Sequence, residues 1–438
     1  MSELPRTSSR RAARLAGLPL GIAGRAASSL GRRALGRGEG DLTEELADQA
    51  AEQVFAVLGE LKGGAMKVGQ ALSVFEAGMP DRYAEPFREA LTKLQAEAPP
   101  LPADEVEKVL DAQLGLKWRD RFTEFDGEAA AAASIGQVHR AVWSDGREVA
   151  VKVQYPGADE ALRSDLRQLR RLAPLLRPLN PGTDVKGVID ELYDSAVSEL
   201  DYRHEADTQR VFATVFADDP QIRVPSVLAS SPKVLVTEWA DGRALSKISV
   251  AGSQEQRDRA AALLAEFQFS SPARVGLMHG DPHPGNFVLD DDGRMVVLDF
   301  GASIPLPEGF PPALTSMMRL ALQNRSDDLV ALMTRAGYVG RGGLEPEDAM
   351  AFLGPFIEPM REPTFHFDRA WMQGILAVYG DVSGREFRTS RSFTLPREYV
   401  LIHRVLSASV GMLCQLQATA PYQQIVRRWM PEIFAEEE

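Results

Sequence analysis

The residues best equipped for chemistry lie in one stretch, His279-Gly280-Asp281-Pro282-His283-Pro284-Gly285-Asn286, with Asp299-Phe300-Gly301 following it. Three groups stand out: an aspartate, an asparagine five residues on, and a second aspartate before a Phe-Gly turn. In that order they suit phosphoryl transfer, with Asp281 orienting or deprotonating an attacking hydroxyl and Asn286 and Asp299 holding Mg²⁺. Two short strands over 287–290 and 295–298, joined at Asp292-Gly293, are expected between them. Such a hairpin brings Asn286 and Asp299 to one mouth. The plain alternative is a Gly/Pro/His loop before an ordinary hairpin.

Elements upstream must supply the rest of such a site. Ala129-Ala130-Ala131-Ala132-Ala133-Ser134-Ile135-Gly136-Gln137 leads into a strand over 138–143, an Asp145-Gly146 turn and a strand over 148–153 that carries Lys152. A lysine near the end of an apolar strand suits the phosphates of a nucleotide. A long helix is expected over about 184–216 with Glu199, Asp201 and Glu205 on it. On a helix, Asp201 and Glu205 share a face while Glu199 points elsewhere, so the acids can serve two different lysines. The run from Val234 through Glu238 and Ala240 to Gly242 reads as a strand entering a hinge, where backbone groups could meet an adenine edge.

Composition sets the frame. The chain has 438 residues, 44% hydrophobic and 25% charged, enough for two lobes with separate cores. One cysteine, Cys414, excludes an internal disulfide framework and a cysteine-based zinc site; its apolar surroundings predict a buried structural thiol. No run of 18 apolar residues occurs, so no transmembrane helix is expected. Net charge is −13, but residues 1–38 carry eight Arg and one acid for +7, leaving −20 on the remainder. An acidic body argues against a nucleic-acid partner. The basic arm, with its short apolar centre, suits an anionic bilayer, a transit peptide or a simple tail.

From Asp41 the pattern turns helical, and a second helix over 62–72 contains Gly63, Gly64 and Gly69 beside Lys67 and Gln70. Interior glycines cost about 1 kcal/mol each relative to Ala, so close backbone approach or bending is expected there. Helices are expected over 81–95 and 103–114, and again over most of the chain beyond Gly301. His279 and His283 lack the spacing of a helical zinc motif and are read as loop-organising hydrogen-bonders.

Lys67-x-Gly69-Gln70, the Ala-rich loop Ala131-Ala132-Ala133-Ser134-Ile135-Gly136-Gln137-Val138, Glu199-Leu200-Asp201 and Asp281-Pro282-His283-Pro284-Gly285-Asn286 together resemble the UbiB-like atypical kinases, the aarF-domain proteins. The resemblance spans roughly residues 40–430. It implies an α+β, protein-kinase-like two-lobed fold with a mostly helical C-lobe. The expected division is a basic arm over 1–40, a helical extension over 41–120 carrying the Lys-x-Gly-Gln motif, an N-lobe over 121–240 and a C-lobe over 241–438. It implies an ATP (or ADP) site along Ala131–Val138, with Lys152 on the phosphates and paired to Glu205, and Glu238 and Ala240 at the hinge. Asp281 is then the catalytic-loop aspartate, and Asn286 and Asp299 bind Mg²⁺. Lys67, Gly69, Gln70, Glu199 and Asp201 form guard motifs, Lys67 reaching the substrate region and pairing with Glu199 or Asp201.

Function follows as an expectation. The resemblance implies an ATPase or small-molecule kinase supporting isoprenoid-quinone or lipid metabolism at a membrane, guarded against protein phosphorylation. Nucleotide, an anionic membrane surface, an isoprenoid lipid or quinone precursor and proteins of a biosynthetic complex are the implied partners. The expected location is cytoplasmic, with peripheral membrane contact. Residues in hand agree with the restraint on signalling: Gly280 stands where kinases carry an arginine, and no Ala-Pro-Glu follows Gly301. The alternative is a nucleotide-binding pseudokinase that scaffolds or extracts lipid without turnover.

Overall fold

Alternation along one strand decides which way Lys152 faces. The computed structural model describes residues 101–133, 135–164, 197, 200–340, 343–380 and 396–436; expectations placed on residues 1–100, Ser134 and Glu199 lie outside them. Helix α1 (Ala103–Leu114) precedes strands β1 (Phe122–Phe125), β2 (Ala131–Ala133), β3 (Gly136–Trp143) and β4 (Glu148–Gln154). On β4, Val149, Val151 and Val153 are fully buried against Val106, Val109 and Leu110 of α1 and against Trp118. With side chains alternating at period 2, the same pleat sends Ala150, Lys152 and Gln154 to the opposite face. Each buried valine contributes about 1.5–3 kcal/mol. A slip of one residue would bury the lysine in this core instead.

Helix α2 (Tyr202–Val215) covers that opposite face, where Tyr202 and Ala206 pack with Ile135, Leu162, Leu200 and Leu235. The long helix expected over 184–216 is interrupted just before Tyr202. Asp201 is extended, with φ −111° and ψ 101°, and its carboxylate accepts the Arg203 N–H as an N-cap. An aspartate that caps is not a helical residue, so Asp201 and Glu205 do not share a helix face.

The sheet is completed by β6 (Val227–Ser230) and β7 (Val234–Glu238), after the short β5 (Ile222–Arg223). Its order is β1-β3-β4-β7-β6, with β2 paired to β3. Val138 and Leu235 lie opposite Lys152 on its two neighbours.

The remaining half is mostly helical. β8 (Arg243–Ala244) and α3 (Leu245–Ala251) lead into α4 (Gln254–Val275), which sequence reading did not single out. Its start carries a capping box between Ser253 and Gln256, and its end a left-handed Gly276 at φ 73°. From Ala260 to Pro272 it is buried nearly all round, as the central post of a large core requires. β9 (Leu277–His279) leaves the end of this post and pairs with β12 (Ser303–Pro305). β10 (Phe287–Leu289) and β11 (Met295–Val297) form the expected hairpin, Phe287 opposite Val297, with Gly293 at φ 75° in its turn.

Helices α5 (Pro312–Leu322), α6 (Ser326–Arg335), α7 (Pro346–Ile357), α8 (Arg369–Gly380), α9 (Val400–Leu416) and α10 (Tyr422–Trp429) follow, with β13 (Phe365–Phe367) paired to β14 (Ala418–Ala420). No described helix is long and apolar enough to cross a membrane. Cys414 is buried, as expected, and burial pushes its thiol up to about 12. Between α5, α6, α7 and α9 lies a cavity of about 20 Å³ lined by methionine, leucine and phenylalanine side chains together with Tyr338 and His403. Tyr338 O–H meets His403 Nε2 at 2.9 Å.

Two outcomes follow from this packing. A Cβ on Gly136 would stand 2.2 Å from the Val153 carbonyl oxygen, whereas one on Gly127 meets nothing within 4 Å. Gly136→Ala should therefore cost about 1–3 kcal/mol or more in denaturant unfolding, and Gly127→Ala close to nothing. Burial lowers His403 to about 4, so the folded chain holds it neutral while the unfolded chain protonates it near pH 6.5. Stability from this residue is full above pH 6.5 and falls by about 3 kcal/mol toward pH 4. His403→Gln should flatten that slope in unfolding curves taken across this range.

Candidate functional site

Lys152 is the hub. Its ammonium donates to both oxygens of Glu205, at 2.8 and 2.9 Å, and to Oδ2 of Asp299 at 3.0 Å. Burial alone would lower the lysine, but the charges of Asp299 and Glu205 outweigh it and hold Lys152 well above its usual range. The face of the Tyr202 ring lies 4.9 Å from the same ammonium. Desolvation keeps the Tyr202 phenol protonated far above its ordinary range. Sequence reading gave Tyr202 no role, although its place one turn before Glu205 on α2 was available as a signal.

Each partner of Lys152 has a local reason for its position. Glu205 sits in the first turn of α2, where a carboxylate suits the positive end of the helix dipole. Asp299 is set by Phe300, which is buried against Phe212 of α2 with ring centroids 4.8 Å apart. Packing Phe300 inward turns the preceding aspartate toward the lysine. Asp299 Oδ1 accepts the Gly301 N–H at 2.9 Å, tightening the turn. His279 donates from Nε2 to the Asp299 carbonyl at 2.6 Å, while His283 Nδ1 accepts from Gly285 N–H. Both histidines thus organise backbone, as their spacing suggested.

Asp281 and Asn286 meet directly: Asn286 Nδ2 donates to the Asp281 carbonyl at 3.0 Å and to its Oδ2 at 3.1 Å. With the amide nitrogen so engaged, Asn286 Oδ1 is the atom left to accept a cation. Across the hairpin mouth, Leu298 N–H donates to the Asn286 carbonyl at 2.9 Å, which sets Asp299 beside Asn286. An amide oxygen and a carboxylate are hard oxygen donors, and Mg²⁺ characteristically takes one or two protein oxygens with the rest from phosphate and water. The residues fit that ion.

Other predicted residues are placed less uniformly. Ala131–Ala133 form β2, and Gly136 opens β3 against the Val153 carbonyl. Ile135 is buried in the cluster beneath α2, and Val138 faces Lys152 across the ladder. Gln137 is turned inward: its Oε1 accepts from Leu101 N–H at 2.7 Å and its Nε2 donates to His139 Nε2 at 2.9 Å. His139 Nδ1 in turn donates to the Asp126 carbonyl. The Glu238 carboxylate faces Arg147 and Arg223 at 3.6 and 3.7 Å, and its N–H donates to the Ser226 carbonyl at 3.0 Å. The Asp201 carboxylate is occupied by Arg203, which holds it below its ordinary range. Lys67, Gly69, Gln70, Ser134 and Glu199 lie outside the described residues.

A twisted antiparallel sheet with one covering helix that carries Glu205, a mainly helical half and a lysine bridging the two define a kinase-like fold. Residues 93–333 match the ABC1 atypical kinase-like domain, more than half of the chain. The chain belongs to that family. It is 32% identical over 385 residues to the protein slr1919 of Synechocystis, covering 84% of this chain and 64% of the relative. It is 29% identical to the mitochondrial atypical kinase COQ8 of Saccharomyces cerevisiae, covering 72% and 63%. Among solved structures it is similar to the Rv3197–erythromycin complex from Mycobacterium tuberculosis, with 49% identity, a TM-score of 0.69, and coverage of 91% of this chain and all of that one. The chain spans between 40% and 64% of the length of the curated relatives.

Removing the hub should be costly. Lys152→Ala leaves the Glu205 carboxylate, 3% exposed, and Asp299 without their shared cation. A loss of about 3–5 kcal/mol in urea unfolding at pH 7 is expected, partly recovered by adding Glu205→Gln. A lysine whose folded pKa is raised stabilises below its unfolded value and loses that contribution as pH rises through the folded one. The difference between the two proteins should therefore stay level from neutrality to about pH 10 and shrink above it.

Proposed function

We propose that this chain is a Mg²⁺-dependent ATPase or small-molecule kinase that supports isoprenoid-quinone or lipid metabolism at a membrane surface. The observation that carries the reading is the pairing of Lys152 with Glu205 and Asp299 beside Asp281 and Asn286. In this reading Lys152 holds the α/β-phosphates, exchanging its contact with Asp299 for phosphate oxygens while Glu205 keeps the ammonium in place. Asn286 and Asp299 hold Mg²⁺, whose contribution is to neutralise charge on the transferring phosphoryl group. Asp281 orients the attacking hydroxyl or water.

Ala131–Val138, including Ser134, covers the nucleotide, and the backbone of Glu238 and Ala240 meets its base. Lys67, Gly69 and Gln70 guard the acceptor side, with Glu199 or Asp201 as the partner of Lys67. The basic arm over 1–40 supplies contact with an anionic bilayer. A helical extension over 41–120, an N-lobe over 121–240 and a C-lobe over 241–438 are the units of this proposal.

The names of relatives support the class, since several are atypical kinases of the COQ8 group. A second reading is a hydrophobic-ligand carrier that binds nucleotide without turnover. It is favoured by the similar solved structure from Mycobacterium tuberculosis, which is a complex with erythromycin. Purified protein should hydrolyse ATP with Mg²⁺, faster with anionic liposomes carrying a phenolic quinone-precursor analogue, and Asp299→Asn should lower the rate by about 100-fold or more. Tight ATP binding with no turnover under any of these conditions would replace this reading by the carrier.

A further inference from the structure

The catalytic-loop aspartate follows a glycine, and glycine is the residue least able to hold its neighbour still. Geometry explains why glycine is there. The Gly280 N–H donates to the Ala302 carbonyl at 3.0 Å, and a Cβ at Gly280 would stand 3.0 Å from the Ala302 carbonyl carbon and 3.1 Å from its oxygen. A side chain here would require Ala302 to shift by a few tenths of an ångström. The arginine that protein kinases carry at this place would be tight against Ala302 at this crossing.

A different arginine reaches the same peptide. Arg404, 124 residues further along the chain, donates from Nη2 to the Gly280 carbonyl at 3.0 Å. It rides on α9, a 17-residue helix fixed in the large core by Ile402, Val405, Leu406 and Leu413. Among the described residues Arg404 has no carboxylate partner, and its Nε is buried without an acceptor. A guanidinium held in this way is not an ordinary surface ion pair. Among the described residues its one hydrogen bond is to the backbone carbonyl next to Asp281.

That contact closes a gap in the restraints on Asp281. The peptide after Asp281 is fixed on one side, because the Asp281 carbonyl accepts from His283 N–H at 2.8 Å and from Asn286 Nδ2 at 3.0 Å. Pro282 further confines Asp281 to extended conformations. The peptide before it, between Gly280 and Asp281, is planar, so anchoring its carbonyl orients the whole unit, including the Asp281 amide. With both flanking planes held, the Cα–Cβ direction of Asp281 is set, and Asn286 Nδ2 meets its carboxylate at 3.1 Å.

We infer that Arg404 is a positioning residue for Asp281, supplying from α9 the restraint that Gly280 cannot supply itself. The inference rests on the reading of Asp281 as the catalytic-loop aspartate. Arg404 is expected to act on turnover rather than on nucleotide binding, since Lys152, Asn286 and Asp299 are not among its contacts.

The test compares wild type with Arg404→Met and Arg404→Lys by two independent readouts. The first is amide hydrogen exchange over residues 277–283, which needs no turnover. Arg404→Met should exchange about 10-fold faster in this segment alone, with α9 still protected, and Arg404→Lys, which keeps one donor, should restore much of the protection. The second is Mg²⁺-ATP hydrolysis. Arg404→Met should lower kcat by about 10-fold to 100-fold with KM for ATP within about 2-fold, and Arg404→Lys should recover most of it. Unchanged exchange in Arg404→Met overturns the inference, as does a variant that melts lower or loses kcat and ATP affinity together. If wild type does not hydrolyse ATP, the enzymatic reading fails separately, and the exchange result alone decides the role of Arg404.

Discussion

One ammonium shared by two carboxylates ties the molecule together. Lys152 belongs to the sheet, Glu205 to the helix that covers it and Asp299 to the turn leaving the hairpin of the helical half. None of the three could be buried alone, because an isolated charge in a low-dielectric setting costs several kcal/mol. Together they satisfy one another only when sheet, helix and turn are all in place. The pair with Glu205 joins positions 53 residues apart and that with Asp299 positions 147 apart. Neither pair offers much to stability that apolar packing could not match. Their value lies in geometry, since an ammonium held by three oxygens is fixed before a ligand arrives.

The apolar side of the same arrangement is Phe300. Its ring touches Phe212 on α2 and His279 on β9, so the element that carries Glu205, the strand that leads to Asp281 and the turn that holds Asp299 all meet on one side chain. Aromatic contacts of this kind contribute about 0.5–1.5 kcal/mol each beyond the area they bury. A ring that large has few alternative rotamers in a dense core. Moving Phe300 would therefore shift Asp299, Glu205 and His279 together, which makes the polar site a consequence of packing as much as of charge.

Much of this was legible from local pattern. The apolar run over 148–153 predicted β4 and placed Lys152 on it; the Asp-Gly turn predicted the β10–β11 hairpin; and the histidine spacing argued for loop-organising hydrogen bonds rather than metal. What stayed hidden depended on contacts that no local pattern encodes. Asp201 reads as one more acid in a helical run until its capping geometry is seen, because Asp is both a tolerable helix residue and a strong N-cap. Helix α4 escaped because a post buried all round shows no amphipathic face, although Ser253 and Gln256 announced its start. Arg404 looks like any charged helix residue, and its contact with Gly280 is visible only once the fold has closed a separation of 124 residues.

The alanine-rich loop bears on how such a site would behave. Gly-rich loops cover phosphates because their backbone moves easily. Here Ala131, Ala132 and Ala133 are laddered to β3, and Gly136 cannot be replaced without meeting Val153. Gln137 adds a buried anchor, linking the loop through Leu101 to the segment that precedes α1 and through His139 to the Asp126 carbonyl. Each of these bonds joins groups with little access to water, where an unmade bond costs about 1–3 kcal/mol. A loop fixed at both ends can present its backbone to a nucleotide but cannot readily sweep across it. In the proposed reading, the same stiffness would limit the closure that a peptide-phosphorylating kinase requires.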